Sequence, residues 1–348
     1  MKRASCLLSV IALFAATAPA AFAQPFFTTP RASQAASVTQ RVGLTDITVS
    51  YHRPGVKNRT VWGALVPYGE VWRAGANENT TIAFSHSVTI DDRTLPAGTY
   101  GLHVIPTETE WTFILSSQSR AWGSFSYDEA EDVLRVTVTP EPIDHQEWLL
   151  YAFEDPTANE VMLSLSWEML KGSFPIWTDT DVVTVEALRT GLRGLARFNW
   201  QGWQQAASWC LNNNTNLEEA MTWIDRSIQI NKNFTNTSVK AGLLTARGDA
   251  AAAGKLLDEA MKTATENELN AHGYQLLARN KVDEAIAVFK KNASDHPDSW
   301  NAHDSLAEAY MTAGDTANAV KFYKKALSMV KDDQQKARIE GQLKQLEG

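Results

Sequence analysis

This 348-residue sequence lacks cysteine pairs and complete catalytic motifs. Its two cysteines are Cys6 and Cys210, and no CxxC pair occurs. HExxH, G-x-S-x-G and the phosphate-binding GxxxxGK[ST] are also missing, and these motifs mark common metalloproteases, serine hydrolases and nucleotide-binding proteins. The sequence therefore assigns no catalytic residue and no cofactor, and it leans away from an enzyme without excluding one.

Acidic residues outnumber basic ones, 40 to 32, although the N-terminus itself is basic. Lys2 and Arg3 precede an apolar run, 7–21, that is shorter than the roughly 20 residues of a membrane span. The run ends at Ala21-Phe22-Ala23, so residues 1–23 resemble a secretory signal peptide cleaved after Ala23. Cleavage removes two positive charges and no acids, which changes the formal charge from −8 to −10. We expect a periplasmic or secreted protein with no nucleic-acid partner and, with Cys210 alone remaining, no internal disulfide.

Segments of two-residue hydrophobic alternation follow a predicted flexible lead-in at 24–36. The clearest lie at 47–51, 111–116, 134–139 and 161–168, and shorter candidates lie at 82–84, 88–90, 100–105 and 149–153. Alternation over such short segments, separated by turn residues, is typical of half-buried antiparallel strands. Residues 37–176 are therefore predicted to form a β-sandwich of jelly-roll or immunoglobulin-like type.

One stretch inside this region, Arg59 to Thr81, has neither helical nor strand periodicity although it is rich in apolar and aromatic residues. Such a stretch usually folds as a long loop attached to a core, and loops of this kind often carry binding residues. The ligand-binding candidates in it are Arg73, Asn77, Glu78 and Thr80. Arginine offers a planar fork for a carboxylate or phosphate, and asparagine offers both a donor and an acceptor.

The same four residues have a structural interpretation, which we favour. Asn77 would satisfy backbone groups of the loop, and Arg73 would pair with an internal acid such as Glu70 or Asp128. The ligand interpretation remains open beside it.

Two further candidates lie outside the loop. His103 is predicted on a strand and Trp122 in a turn. His103 is more typical of a hydrogen-bonded core histidine than of a proton shuttle. The tryptophans Trp62, Trp72, Trp111 and Trp122 would suit an aromatic platform for sugar or peptide, but most are expected in the core. His52, His86, His103 and His145 show no metal-ligand spacing, so no metal site is predicted.

The C-terminal half is helical and repeats itself. After a connecting helix at 177–198, small alanines recur at Ala220, Ala253, Ala285 and Ala319. A bulky apolar residue follows each of them by four positions: Ile224, Leu257, Phe289 and Tyr323. These residues resemble the tetratricopeptide repeat, a pair of helices of 34 residues, with His272 where leucine is usual. Residues 199–348 are therefore predicted to form an all-α solenoid of four repeats and a polar capping helix.

The β-region has a resemblance of its own. Arg59-Thr60-Val61-Trp62-Gly63 and the segment 65–77, LVPYGEVWRAGAN, are similar to the core motif of an exported bacterial family, domain of unknown function 2911. Pro96-Ala97-Gly98-Thr99-Tyr100, Trp122-Gly123 and Tyr127-Asp128 continue the resemblance. It implies a secreted β-rich domain, sometimes followed by tetratricopeptide repeats, and it supplies no activity.

Together these observations predict an exported, two-domain binding protein. The repeats would hold a peptide or protein partner, and the β-domain would bind an unknown ligand, such as a small molecule or glycan. Two alternatives remain: a hydrolase-like enzyme with its site in the Arg73–Thr80 loop, and a carbohydrate-binding module.

Overall fold

The computed structural model describes residues 30–348. The predicted signal peptide, 1–23, and residues 24–29 of the predicted lead-in lie outside the described residues. The chain divides into an all-β unit, which extends to Trp177 without Gly43–Thr45, and an all-α unit from Thr178 onward that includes those three residues.

The all-β unit contains every strand that the hydrophobic alternation predicted. The strands are β1 (Gln34–Val42), β2 (Thr45–Arg53), β3 (Thr81–Phe84), β4 (Val88–Ile90), β5 (Arg93–Leu95), β6 (Gly98–Pro106), β7 (Trp111–Ser116), β8 (Asp132–Val138), β9 (Glu141–Glu154) and β10 (Glu160–Trp177). A 3-10 turn at Glu129–Glu131 precedes β8. Because β1 begins at Gln34, residues 34–36 are strand and not part of a flexible lead-in.

These strands form two antiparallel sheets around one apolar core. The order is β1-β2-β3-β6-β7-β8 in the larger sheet and β5-β4-β10-β9 in the smaller one. Inward residues of both sheets, such as Phe113 of β7 and Phe174 of β10, pack together with ring centroids 5.0 Å apart. An all-β domain with two sheets is therefore confirmed, while the choice between jelly-roll and immunoglobulin-like type stays a prediction.

The predicted long loop connects β2 to β3 and is attached to the second half of β6. Trp72 and Val104 exchange both backbone hydrogen bonds, each at 2.8 Å, and Gly69 donates to the carbonyl of Pro106. The indole of Trp62 enters the core, 4.5 Å from the ring of Trp111. Apolar burial and strand-like hydrogen bonds together hold this aperiodic segment against the sheet.

The all-α unit contains ten helices within the described chain. They are α1 (Thr180–Gly191), α2 (Trp200–Asn212), α3 (Leu217–Ile230), α4 (Phe234–Ala246), α5 (Ala250–Met261), α6 (Glu266–Ala278), α7 (Val282–Asp295), α8 (Trp300–Thr312), α9 (Thr316–Leu327) and α10 (Asp333–Glu347). A 3-10 turn at Leu195–Phe198 follows α1. Helices α2 to α9 form four successive pairs, and α10 packs on α9 as the final helix.

The repeated alanines lie where the two helices of a pair approach. All four are buried, and three of the four bulky residues, Ile224, Phe289 and Tyr323, are buried as well. In the third pair the close approach is made at Gly273, where an added Cβ would lie 2.4 Å from Cζ of Phe289. Glycine is the one residue that fits there without displacement of the ring.

The described residues lack two features, a membrane-spanning helix and a cluster of metal ligands. No helix within residues 30–348 is long and apolar enough to cross a membrane. Nor does that range contain a group of three or more His, Cys, Asp or Glu side chains that could hold a metal ion.

Candidate functional site

The sheet register brings two of the predicted candidates together on the outer face of the larger sheet, the face directed away from the core. Since Trp72 pairs with Val104 in antiparallel register, Arg73 lies opposite His103. Leu102 and Val104 belong to the core, so His103 and its neighbour across the pair point to the opposite face. Two residues 30 positions apart in the chain therefore share one surface.

A segment between β7 and β8, residues 117–128, covers this surface. Oγ of Ser124 and Nδ1 of His103 share a hydrogen bond at 2.9 Å. The ring of Tyr127 contacts the imidazole edge-on, with centroids 5.5 Å apart. A Cβ built on Gly123 would lie 3.4 Å from Nη1 of Arg73, so this glycine lies directly beside the guanidinium. We call the set Arg73, His103, Gly123, Ser124 and Tyr127 the outer-face site.

His103 is neutral at physiological pH because of its burial. The residue is 2% exposed, and desolvation lowers the pKa of the imidazole to about 4, although the negative charge of Asp132 acts in the opposite direction. Its Nε2 has no hydrogen bond to any residue of the described chain. His103 is therefore a buried, hydrogen-bonded histidine, which is the environment that the sequence predicted.

Arg73 lacks the internal ion pair that the structural interpretation of the sequence predicted. Within residues 30–348 it forms no ion pair with Glu70, Asp128 or any other carboxylate. Its Nε is buried without a hydrogen-bond partner, and desolvation alone lowers the pKa of the guanidinium. The expected internal salt bridge is therefore wrong, and the acid that contacts Tyr127 of this surface has another partner.

That acid is Asp132 at the start of β8. Its Oδ2 accepts hydrogen bonds from the hydroxyl of Tyr127 at 2.7 Å and from Nε of Arg135 at 2.8 Å. Nη2 of Arg135 also donates to the Tyr127 hydroxyl at 2.8 Å. Burial and the bond to Asp132 raise the pKa of Tyr127 to about 12, so its hydroxyl stays protonated. Arg135 thus neutralises Asp132, and Arg73 is left without a counter-charge.

The other loop candidates hold the loop itself. Nδ2 of Asn77 donates to the carbonyl of Ser33 at 3.2 Å, and Oγ1 of Thr80, fully buried, donates to the carbonyl of Ala74 at 3.2 Å. Glu78 forms an ion pair with Arg31 at 2.5 Å, and its other carboxylate oxygen lies 3.2 Å from Nε2 of His52. Desolvation acts to raise the pKa of Glu78, but hydrogen bonds from Arg31 and the backbone lower it overall.

The tryptophans divide between core and surface. Trp62 and Trp111 are buried, and Trp72 packs against the core with its ring stacked on Trp167 at 5.7 Å. Trp122 is 55% exposed and lies 5.9 Å below the guanidinium of Arg31. The expectation of mainly core tryptophans is met, and one ring remains on the surface beside Gly123.

Sequence reasoning missed Ser124 and Tyr127 as members of a site. The available signal was the segment 117–128, which combines serines, Trp122 and Phe125 without a helical or strand period. The same argument that selected the Arg59–Thr81 loop applies to it.

The Ser124–His103 pair has the appearance of a nucleophile and its base, but its chemistry is unfavourable. A general base works best with a pKa near the operating pH, and the pKa of this imidazole is about 4. No carboxylate of the described chain orients its Nε2, in contrast to a catalytic triad. The geometry therefore favours binding over acyl transfer.

A second candidate surface lies in the all-α unit, between the first helices of the second and third pairs. A cavity of about 170 Å³ is lined by Phe234, Thr235 and Ser238 of α4 and by Asn267, Glu268, Ala271, His272 and Gln275 of α6. First helices line the concave surface of stacked helical repeats, the surface these proteins use for binding. We call this cavity the α4–α6 groove.

His272 is the unusual residue of the α4–α6 groove. Both of its ring nitrogens are buried without a hydrogen-bond partner in the described chain. Its ring meets that of Phe234 edge-on at 5.3 Å, and desolvation, the largest cause, lowers the pKa of the imidazole. A leucine would fill this repeat position without leaving two polar atoms unsatisfied.

An all-β domain of two sheets followed by paired helices defines a two-domain protein with a helical-repeat scaffold. Comparison with known families finds a matching family model for each of the two domains. Residues 33–176 match the family described as protein of unknown function (DUF2911), and residues 270–336 match a tetratricopeptide repeat model. The chain thus carries a DUF2911 domain followed by tetratricopeptide repeats, as the sequence motifs predicted.

Solved structures similar to this chain include MamA (41-end) from Desulfovibrio magneticus RS-1, PilF from Pseudomonas aeruginosa and yeast Tom70. MamA is 17% identical and covers 42% of this chain and 82% of its own, with a TM-score of 0.27. The corresponding values are 15%, 41%, 67% and 0.27 for PilF, and 12%, 47%, 42% and 0.27 for Tom70. No protein with curated annotation matches the sequence significantly.

Proposed function

We propose that this protein is an exported scaffold whose repeats bind a segment of a partner protein in the α4–α6 groove, while its β-domain binds a ligand of its own. Tetratricopeptide repeats are protein-interaction scaffolds, which gives the repeat domain its class. The export assignment depends on the Lys2-Arg3 start, the apolar run and the Ala21-Phe22-Ala23 site.

The observation that carries the proposal is the pair of unsatisfied nitrogens on His272 beside an open cavity. A buried polar atom without a partner costs free energy, and a peptide bound in the cavity could supply the missing donor and acceptor once the imidazole turns toward it. Phe234 offers an apolar wall next to it, so the groove suits a segment with one apolar side chain and exposed backbone groups.

A site-specific photo-crosslinker tests the groove in the cells that make the protein. Placed at Gln275, an exposed residue of the groove, it should give one discrete protein adduct. The matched control is Lys255, an exposed residue on the second helix of its pair, where no such adduct should form. Equal labelling from both positions, or none from Gln275, would contradict the proposal.

A further inference from the structure

The outer-face site contains a charge that the protein does not balance. Arg73 is half-buried, and its Nε is buried without a hydrogen-bond partner. No carboxylate within residues 30–348 forms an ion pair with it. Partial burial of a cation is costly unless an anion or several hydrogen bonds accompany it. Oδ2 of the nearby Asp132 accepts from Arg135 and from Tyr127, and its Oδ1 is buried without a hydrogen-bond partner, so neither oxygen bonds to Arg73.

None of the residues identified beside the guanidinium carries a negative charge. Gly123 has no side chain, and its backbone φ of +65° is one that other residues rarely adopt. The hydroxyl of Ser124 lies next to it in the chain and shares its hydrogen bond with a neutral imidazole, while the other cation near the site, Arg135, is paired with Asp132. The geometry offers the two terminal nitrogens of Arg73 and one hydroxyl as polar contacts.

We propose that the outer-face site binds the carboxylate of a small organic acid, held by Arg73 and flanked by Ser124. One guanidinium balances one negative charge, and its planar fork matches a carboxylate. A phosphate dianion would exceed this single cation in a chain whose formal net charge is −8. The inference concerns the ligand of the β-domain and stands apart from the partner groove on the repeats.

The surroundings indicate the body of the ligand. Phe125 is 85% exposed and Trp122 is 55% exposed, one on each side of Gly123. Two large exposed aromatic rings beside an unpaired cation favour an acid with an apolar or aromatic body. Benzoate is therefore the probe of choice, with acetate and inorganic phosphate as comparisons.

The experiment follows side-chain and amide NMR signals of the full mature chain during titration with each probe. Benzoate should shift the Arg73 guanidinium and the amides of Gly123 and Ser124, and acetate should do so more weakly. Arg73→Gln should weaken benzoate binding by about tenfold or more, because hydrogen bonds to a charged group are lost. Arg120→Gln, which removes an exposed arginine from the same covering segment, should leave the affinity unchanged.

Several outcomes would overturn the inference. These are no shift at the outer-face site with any carboxylate, shifts with phosphate only, or equal benzoate affinity in wild type and Arg73→Gln. If Arg73→Gln does not fold, Arg73→Lys decides, because it keeps the charge but removes the fork and should still weaken binding. Failure of crosslinking at Gln275 would leave these measurements unaffected, so the two proposals fail separately.

Discussion

Nη2 of Arg338 donates a hydrogen bond to Oδ2 of Asp304 at 2.5 Å, which joins the final helix α10 to the first helix of the fourth repeat. Asp304 is 5% exposed, and its other oxygen, Oδ1, has no partner in the described chain. The final helix therefore does more than cover apolar surface, since it also supplies the counter-charge of a buried acid.

Loss of that counter-charge should destabilise the repeats. Arg338→Ala is expected to lower the free energy of unfolding by roughly 1–3 kcal/mol, because a buried carboxylate then loses its charged donor. The value is below that for a fully buried pair because Arg338 is partly exposed. Lys336→Ala, an exposed change on the same helix, is the control in urea titrations followed by circular dichroism. Identical midpoints for both variants would show that the ion pair contributes nothing.

The pKa of His103 predicts how stability of the β-domain depends on pH. Desolvation depresses its pKa to about 4 in the folded state, against 6.5 for the ordinary group, while Asp132 opposes the shift. Between about pH 4 and 6.5, the His103 imidazole is therefore mainly protonated in the unfolded chain and mainly neutral in the folded chain. The resulting stabilisation, on the order of 3 kcal/mol, is present above pH 6.5 and is lost as pH falls through about 4.

His103→Gln should flatten this part of the pH dependence. Urea midpoints of the β-domain transition, measured between about pH 4 and 6.5, provide the test. His145→Gln is the matched control because His145 is exposed on β9. An unchanged slope in His103→Gln would mean that another group is responsible.

Two glycines in neighbouring repeats should respond in opposite directions to alanine. At Gly273 a Cβ would lie 2.4–2.8 Å from atoms of the Phe289 ring, so Gly273→Ala should cost about 1–3 kcal/mol through overpacking. At Gly254, inside α5, a Cβ meets nothing within 4 Å, so Gly254→Ala should stabilise by about 0.5–1 kcal/mol. Thermal melts of the two variants measure both changes in stability. An unchanged melting temperature in Gly273→Ala would refute the described packing of Gly273 against Phe289.

Processing of the N-terminus gives a prediction independent of the fold. The mature protein is expected to begin at Gln24, with export removing Lys2 and Arg3. N-terminal sequencing of protein purified from its natural source measures this directly. A chain that retains Met1 in that source would contradict export by this signal.

Sequence reasoning identified the outer-face site in part. It selected Arg73 and His103, but it expected Arg73 to pair with Glu70 or Asp128, and it assigned no role to Ser124. Such errors have one physical origin, because the partner of a charged side chain depends on which strands lie side by side. Asp132 is close in space to the outer-face site, yet it pairs with Arg135 of its own strand, only three residues away.

The sequence by itself determined the elements that depend on local pattern. The recurring alanines required close helix pairs, and the two-residue alternation required strands with one buried face, because both patterns act over a few neighbouring residues. Only the tertiary structure decided that Arg73, His103 and Ser124 meet, that Arg73 has no counter-charge, and that His272 borders a cavity with its nitrogens unsatisfied. Those outcomes depend on register and on contacts between distant segments, and no local preference encodes them.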